Sequence, residues 1–180
     1  MPDIVTITIN PAIDIFVNVD RVEPTKKMRC SSPKRDPGGG GINVARVAHR
    51  LGGSVAAIYP IGGAIGKLLQ RLVEREGIDS VVTPSHVETR ENFTAYEEET
   101  GQQYRFVLPG SALHRAEWEA VLDASGWFSG RALSKADSFR QAASTATIFG
   151  KRSSGTFKRR ALNTCGTRQM SASVTCAPQA

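Results

Sequence analysis

The sequence of 180 residues lacks the features that mark several special protein classes. Its three cysteines, Cys30, Cys165 and Cys176, are too few and too scattered for a disulfide framework or a cysteine-based metal site. No run approaches the roughly 20 apolar residues that span a bilayer. The N-terminal Met-Pro-Asp also lacks the basic and then apolar segments of a signal peptide. The sequence therefore predicts a cytoplasmic globular protein with no membrane partner.

Acidic residues are almost missing from the last part of the chain. Residues 129–180 contain nine Lys and Arg but one acid, Asp137, a net charge of +8, whereas residues 1–128 contain 14 basic and 16 acidic residues, a net charge of −2. The last part also holds 14 Ser and Thr, so it has little apolar surface to offset the entropy of ordering. We therefore expect an ordered domain over 1–125 and a basic tail over 126–180 that is disordered or translated out of frame.

The positive charges of this tail are scattered and match no known motif for reading nucleic acid. The alternative is that the basic tail binds nucleic acid through contacts with its phosphate groups. The pattern does not favour nucleic acid as a partner.

Short apolar runs alternate with helical patterns along the first 82 residues. The run IVTITI is β-branched throughout, as in a strand buried on both faces, and IDIFVNV alternates as a half-exposed strand does. The two helical patterns end at glycines. We predict strands over 4–9, 13–19, 55–59 and 78–82, and helices over 42–51 and 64–76. Two successive βαβ-like units predict an α/β fold with a parallel sheet.

The pattern changes after residue 90. Residues 93–98 and 103–108 alternate in polarity around a glycine-containing turn, which predicts a β-hairpin. Residues 113–123 return to a helical pattern.

Four consecutive glycines, Gly38 to Gly41, lead into the first predicted helix. Glycines let backbone N–H groups approach a ligand, and a helix N-terminus adds a partial positive charge. The run matches neither a Walker A loop nor the dinucleotide fingerprint. A flexible connector before a helix is the alternative interpretation.

Two polar residues are further candidates for ligand binding. Asp14 follows the first strand, where doubly wound sheets bind ligands, and a carboxylate there can accept hydrogen bonds from two sugar hydroxyls. The alternative for Asp14 is a surface acid on an amphipathic strand. Asn43 lies at the helix start, where it either contacts a ligand or caps the helix.

Three cations and three histidines complete the candidates. Arg90, Arg105 and Lys27 lie on or near the predicted strands, where cations bind phosphate or, alternatively, discourage edge-to-edge pairing. The three histidines are isolated in the sequence, so we expect them to be surface or packing residues and predict no metal site. They are His49, His86 and His114.

Together, several segments resemble the ribokinase-like carbohydrate kinases, and within them the phosphofructokinase-B branch. These segments are NPAID at 10–14, PGGGGINVAR at 37–46, LGG at 51–53 and QYRFVLPG at 103–110. The resemblance runs from residue 1 to about 125. It implies a Rossmann-like ribokinase fold, with an incomplete parallel sheet and flanking helices, plus a small β-sheet lid from about 12–36 and 88–108 that forms a homodimer contact.

The resemblance also implies a function, the glycolytic transfer of a phosphoryl group from ATP, with Mg²⁺, to fructose 6-phosphate or a related hexose phosphate. The residues it assigns to the sugar are Asp14, Gly39, Gly40 and Asn43. Those it assigns to the phosphate are Lys27, Arg90 and Arg105.

The chain departs from this family in its last part. The family's Gly-Ala-Gly-Asp motif supplies an anion hole and the general base, but this chain has no such motif and no acid after Asp137. We therefore expect a truncated kinase with no catalytic base, with most of the nucleotide site missing and without activity. The alternative is a non-catalytic remnant that binds sugar phosphate or dimerises.

Overall fold

The computed structural model describes residues 2–129, 145–151 and 157–163. These residues form strands and helices whose bounds, in chain order, are β1 Ile4–Ile7, β2 Ala12–Val19, β3 Lys34–Gly38, α1 Gly40–Arg50, β4 Val55–Ile61, α2 Gly63–Arg75, β5 Asp79–Pro84, β6 Arg90–Glu97, β7 Gln103–Val107, α3 Arg115–Ser129, β8 Thr145–Lys151 and β9 Phe157–Asn163. Among the helices described, none combines the length and apolar character needed to cross a membrane.

The first sheet has the strand order β5-β4-β1-β8-β9. Strands β1, β4 and β5 are parallel, while β8 runs antiparallel to both β1 and β9. Helices α1 and α2 connect the parallel strands, as the predicted βαβ units require. The α/β fold class is confirmed.

Strand β4 shows why the parallel strands of this sheet have continuous apolar sequences. Its Val55, Ala57 and Tyr59 pack with α1 and α2, while Ile58 packs on the other face with Val121 of α3. A strand covered by helices on both faces has no solvent-facing side, so it shows no polar alternation.

The second sheet has the order β3-β2-β6-β7. The predicted hairpin is β6 and β7, and it joins β2 in parallel through β6. Strand β3 has no apolar alternation in its sequence, KRDPG, so no strand is predicted there. It is an edge strand defined by its antiparallel ladder to β2.

The described part of the tail contains regular structure. Helix α3 extends through the predicted boundary at residue 125, and β8 and β9 lie within the predicted tail. Strand β8 has the sequence TATIFGK, which is rich in β-formers, and it pairs with the edge of β1 that β4 leaves open. Residues 130–144, 152–156 and 164–180 lie outside the described residues, and for these the expected tail stays a prediction.

Candidate functional site

Asp14 lies on the face of the second sheet that points away from the main core. Cross-strand register places Asn92 of β6 on one side of Asp14 and Asp36 of β3 on the other, and residues in register share a face. The Asn92 side-chain amide donates a hydrogen bond of 2.8 Å to Asp14 Oδ1. This bond fixes the direction of a half-buried carboxylate next to the glycine run.

Gly38, the last residue of β3, lies directly against Asp14. A Cβ atom at this position would collide with the Asp14 carboxylate. Position 38 therefore requires glycine, because any side chain there would displace the Asp14 carboxylate from the site. The requirement concerns the space beside Asp14 and not the flexibility of the backbone.

Helix α1 begins immediately after this contact. Gly39 is its N-cap with φ at 115°, a conformation that favours glycine, and a Cβ there would lie 2.6 Å from Thr8 Cγ2. Thr8 Oγ1 accepts the Ile42 N–H at 2.9 Å, and the Gly39 carbonyl accepts the Asn43 N–H at 2.8 Å. The first N–H groups of a helix have no intrahelical acceptor, so this end offers donors and a partial positive charge to a ligand.

Asn43 does not cap α1. No side chain makes a capping hydrogen bond at Gly39, and Asn43 lies exposed one turn into the helix. The capping alternative is therefore wrong for this residue, which leaves its side chain available at the same end of α1 as Gly39.

Arg46 fixes the start of α1 against the second sheet. Its guanidinium donates to the Pro37 carbonyl at 3.1 Å and to Glu76 Oε1 at 2.6 Å. The Arg46–Glu76 pair is mostly buried, and Arg50 adds a second bond to Glu76 at 3.0 Å. This network links the strand that ends at Gly38, the helix that begins at Gly40 and the end of α2.

Arg90 lies at the start of β6 and reaches two loops. It donates to the Leu108 carbonyl at 2.8 Å, to the Asn10 carbonyl at 3.4 Å and to Asn92 Oδ1 at 3.4 Å. Burial lowers the pKa of Arg90 from its ordinary value, while the negative charge of Asp14 acts in the opposite direction. Its Nε is buried and has no hydrogen-bond partner within the described residues. Arg90 lines a cleft together with Asn10, Pro109 and Gly110.

The other two predicted cations lie apart from Arg90. Arg105 is exposed on β7 opposite Thr94, four residues along β6 from Arg90 and thus roughly 13 Å away along the strand. Lys27 is exposed on the loop that follows β2. Neither side chain forms a hydrogen bond or ion pair within residues 2–129. The structure thus brings together Asp14, Arg90 and the glycine run, but leaves Arg105 and Lys27 outside this group.

Three site residues were missed by the sequence analysis. Asn92 lies two residues after Arg90, so strand periodicity places both on the same face, and this signal was available. Thr8 and Asn10 act through contacts with α1 and Arg90 that depend on tertiary structure, and no local pattern indicates them.

The expectation that the histidines are isolated is wrong for two of them. The rings of His86 and His114 stack with centroids 3.6 Å apart, and His86 Nδ1 lies 2.8 Å from Glu117 Oε1. The loop after β5 and the start of α3, distant in sequence, bring these residues together.

Known proteins are similar to this chain in sequence. The profile of the family described as "pfkB family carbohydrate kinase" matches residues 1–169. ATP-dependent 6-phosphofructokinase isozyme 2 of Mycobacterium tuberculosis is 54% identical over 122 residues, which cover 68% of this chain and 36% of that protein. The Escherichia coli protein of the same name is 42% identical over 121 residues, which cover 67% of this chain and 39% of that protein.

A solved structure agrees with these matches. Phosphofructokinase-2 from Escherichia coli, in complex with fructose-6-phosphate, superimposes with a TM-score of 0.66 at 40% identity and covers 69% of this chain and 41% of that one. The chain thus spans little more than a third of the length of these relatives. Since the family profile matches most of the chain, the chain belongs to the pfkB family of carbohydrate kinases, which have the ribokinase fold.

Proposed function

We propose that this chain forms the hexose-phosphate-binding part of an ATP-dependent sugar-phosphate kinase. The observation that supports this most directly is the Asp14 carboxylate, which Asn92 orients beside the glycine run at the start of α1. A fixed carboxylate accepts hydrogen bonds from two neighbouring sugar hydroxyls, and the N–H groups of Gly39 and Gly40 at the start of α1 donate to a sugar oxygen.

Arg90 is the residue we assign to the sugar phosphate. It lies near Asp14, and its positively charged guanidinium lines the cleft beside Asn10 and Gly110. Guanidinium groups bind phosphate through paired hydrogen bonds. Asn43, Lys27 and Arg105 stay predicted ligands.

Fructose 6-phosphate or a related hexose phosphate is the substrate we propose, and ATP with Mg²⁺ is the phosphoryl donor expected for the family. Within the described residues, no group of three acidic side chains comes together near Asp14 to hold Mg²⁺. We derive no step through the ion.

We propose that the 180-residue chain by itself binds hexose phosphate without transferring a phosphoryl group. The sequence contains no Gly-Ala-Gly-Asp motif, and loss of a general base costs roughly 10² to 10⁴ in rate. A coupled assay of ADP release with fructose 6-phosphate is expected to stay at background. Turnover on the order of 1 s⁻¹, the low end for kinases, would contradict this.

Calorimetric titration of the full chain with fructose 6-phosphate tests the binding proposal. We expect saturable binding that weakens at least about tenfold in Asp14→Asn and Arg90→Ala, because each loses a charge-assisted hydrogen bond. Arg71→Ala, which removes an exposed cation from α2, is the matched control and is expected to bind normally. Binding that is absent, or that is unchanged in Asp14→Asn, would refute the proposal.

A second candidate function is dimerisation through the second sheet. This sheet and the residue that follows it expose several large apolar side chains, namely Phe16, Phe93, Tyr96, Phe106, Val107 and Leu108. By register, Phe16, Tyr96 and Val107 lie on the face of Asp14, and Phe93 and Phe106 lie on the opposite face. Exposed apolar surface is typical of association sites. We expect a dimer by light scattering and a monomer in the double variant Phe106→Ser, Val107→Ser.

The cytoplasmic location of the protein stays a prediction.

A further inference from the structure

Two histidines and a glutamate meet where the loop after β5 reaches the N-terminus of α3. We refer to His86, His114 and Glu117 as the His/Glu cluster. One donor atom from each residue lies within 4.8 Å of the other two. The His86 side chain is 41% exposed and the Glu117 side chain 11% exposed, so the cluster opens to solvent on its histidine side.

Helix capping explains only part of this arrangement. Glu117 Oε2 accepts the His114 N–H at 2.5 Å, and Glu117 Oε1 accepts the His86 N–H at 2.5 Å. The bond to His114 is the capping-box contact of a helix whose first turn contains Glu117. Any residue other than proline at positions 86 and 114 would supply these backbone donors. Capping therefore accounts for the carboxylate and gives no reason for two imidazole rings.

The rings are themselves specifically arranged. They stack at 3.6 Å between centroids with 12° between their planes, and His86 Nδ1 lies 2.8 Å from Glu117 Oε1. A neutral imidazole carries one nitrogen lone pair that can bind a metal ion.

We propose that the His/Glu cluster binds one divalent transition-metal ion, Zn²⁺ being the ion that best suits its donors. Two imidazoles and a carboxylate, with water as the fourth ligand, form a well-known zinc donor set. The ion takes the place of the proton between His86 Nδ1 and Glu117 Oε1. A neutral His86 ring then carries its proton on Nε2, whereas a protonated ring first loses one proton to solvent.

Metal binding requires the two rings to turn out of their parallel stack, because an imidazole binds a metal in its own plane and the lone pairs of two parallel rings do not converge on one ion. Donors bound to one tetrahedral zinc lie about 3.3 Å apart, given bond lengths of about 2.0–2.1 Å. The limit of 4.8 Å within the cluster is therefore closed by rotation of partly exposed imidazoles.

The local charges favour a moderate affinity. Burial alone would raise the pKa of Glu117, but hydrogen bonds from the His86 side chain and from the backbone of His86 and His114 lower it to about 2. The carboxylate is thus ionised at neutral pH. Its charge offsets the positive end of the α3 dipole, which opposes a cation. The Arg115 guanidinium forms an ion pair with the Glu119 carboxylate at 3.1 Å, and it does not pair with the carboxylate of Glu117.

A bound ion would connect two segments that line the Arg90 cleft. Ser85 and Val87, on either side of His86, and Leu113, next to His114, all belong to the wall of that cleft. The proposed site therefore acts as a structural clamp beside the cleft and is independent of the proposed sugar function.

Zinc binding to the full chain tests this proposal, in a background where Cys30→Ser, Cys165→Ser and Cys176→Ser remove competing thiols. Equilibrium dialysis with ZnCl₂ is expected to give one ion per chain. His86→Gln and His114→Gln should each weaken binding at least about tenfold, the loss typical of a removed metal ligand or its support. His49→Gln, which changes the remaining histidine on α1, is the matched control and should bind like the parent. Binding that is absent at a few-fold excess of ZnCl₂, or that is unaffected by His86→Gln, overturns the proposal.

A second measurement avoids histidine variants that fold poorly. In the same cysteine-free background, Zn²⁺ is expected to protect His86 and His114, but not His49, from modification by diethyl pyrocarbonate. Equal modification of all three histidines with and without the ion overturns the proposal. Co²⁺ substitution should give the visible absorption of a tetrahedral nitrogen and oxygen site, whereas an octahedral spectrum contradicts the donor set.

Discussion

Asn92 on β6 holds the carboxylate of Asp14 on β2 through a hydrogen bond of 2.8 Å from its side-chain amide. The two residues lie 78 positions apart in the chain and directly opposite each other in the parallel ladder. Asn92 also accepts hydrogen bonds from Arg90 and from the backbone of Leu108, both at 3.3–3.4 Å. One amide thus connects the proposed sugar ligand, Asp14, with the proposed phosphate ligand, Arg90.

We expect Asn92→Ala to weaken the binding of fructose 6-phosphate about tenfold, because Asp14 loses the donor that orients it. Asn18→Ala is the matched control, since Asn18 is an asparagine of the same sheet whose amide donates to Glu98 instead. Titration calorimetry on both variants measures the difference. Equal affinities of the two variants would show that Asn92 does not position the site.

The contact between Gly38 and Asp14 leads to a second prediction. In Gly38→Ala the new methyl group would occupy the place of the Asp14 carboxylate, which is the end of a side chain and turns away. We therefore expect hexose-phosphate binding to be lost while the free energy of unfolding changes by about 1 kcal/mol or less. Denaturant unfolding and calorimetry check the two parts separately. Retained binding in a folded variant would contradict the assigned role of Gly38.

Gly62 offers a contrasting case within the same fold. A Cβ at Gly62, the N-cap of α2, would collide with the carbonyl of Val87, which is backbone and has no rotamer to move. We expect Gly62→Ala to lower the free energy of unfolding by about 2 kcal/mol or more. Gly126→Ala in α3, where a Cβ meets nothing within 4 Å, is the matched control and should be neutral or stabilising. Urea unfolding that ranks the two variants equally would contradict this reasoning.

The sequence predicts well those parts of the fold that depend on local periodicity. Helices α1 and α2 and strand β4 follow from apolar spacing and from glycines at their ends. Position alone left Asp14 and the glycine run open between a ligand site and a structural role, and the family resemblance is what assigns them to the sugar. Strand β3 left no such signal, because an edge strand of charged residues buries no alternating face.

Contacts between distant segments could not be predicted in the same way. The pairing of Asp14 with Asn92 depends on the register of two strands, and sequence spacing does not determine that register. The same holds for His86 and His114, which are 28 positions apart and meet only because α3 begins beside the loop after β5. Separation in sequence made both histidines look isolated, although their rings are in contact.

Because the pKa of Glu117 is low, the stability of the folded chain depends on pH in the acidic range. Its folded pKa of about 2 lies below the ordinary value of 4.5, so the folded state binds this proton less readily than the unfolded state. The stabilisation is therefore complete above about pH 4.5 and is lost as the pH falls toward 2. We expect the melting temperature to fall between about pH 6 and about pH 3 in the parent, and to fall less in Glu117→Gln. Asp79→Asn, which changes an exposed acid on β5, should keep the parent's dependence. If Glu117→Gln and the parent lose the same number of degrees over this range, the hydrogen bonds from His86 and His114 do not stabilise the ionised carboxylate.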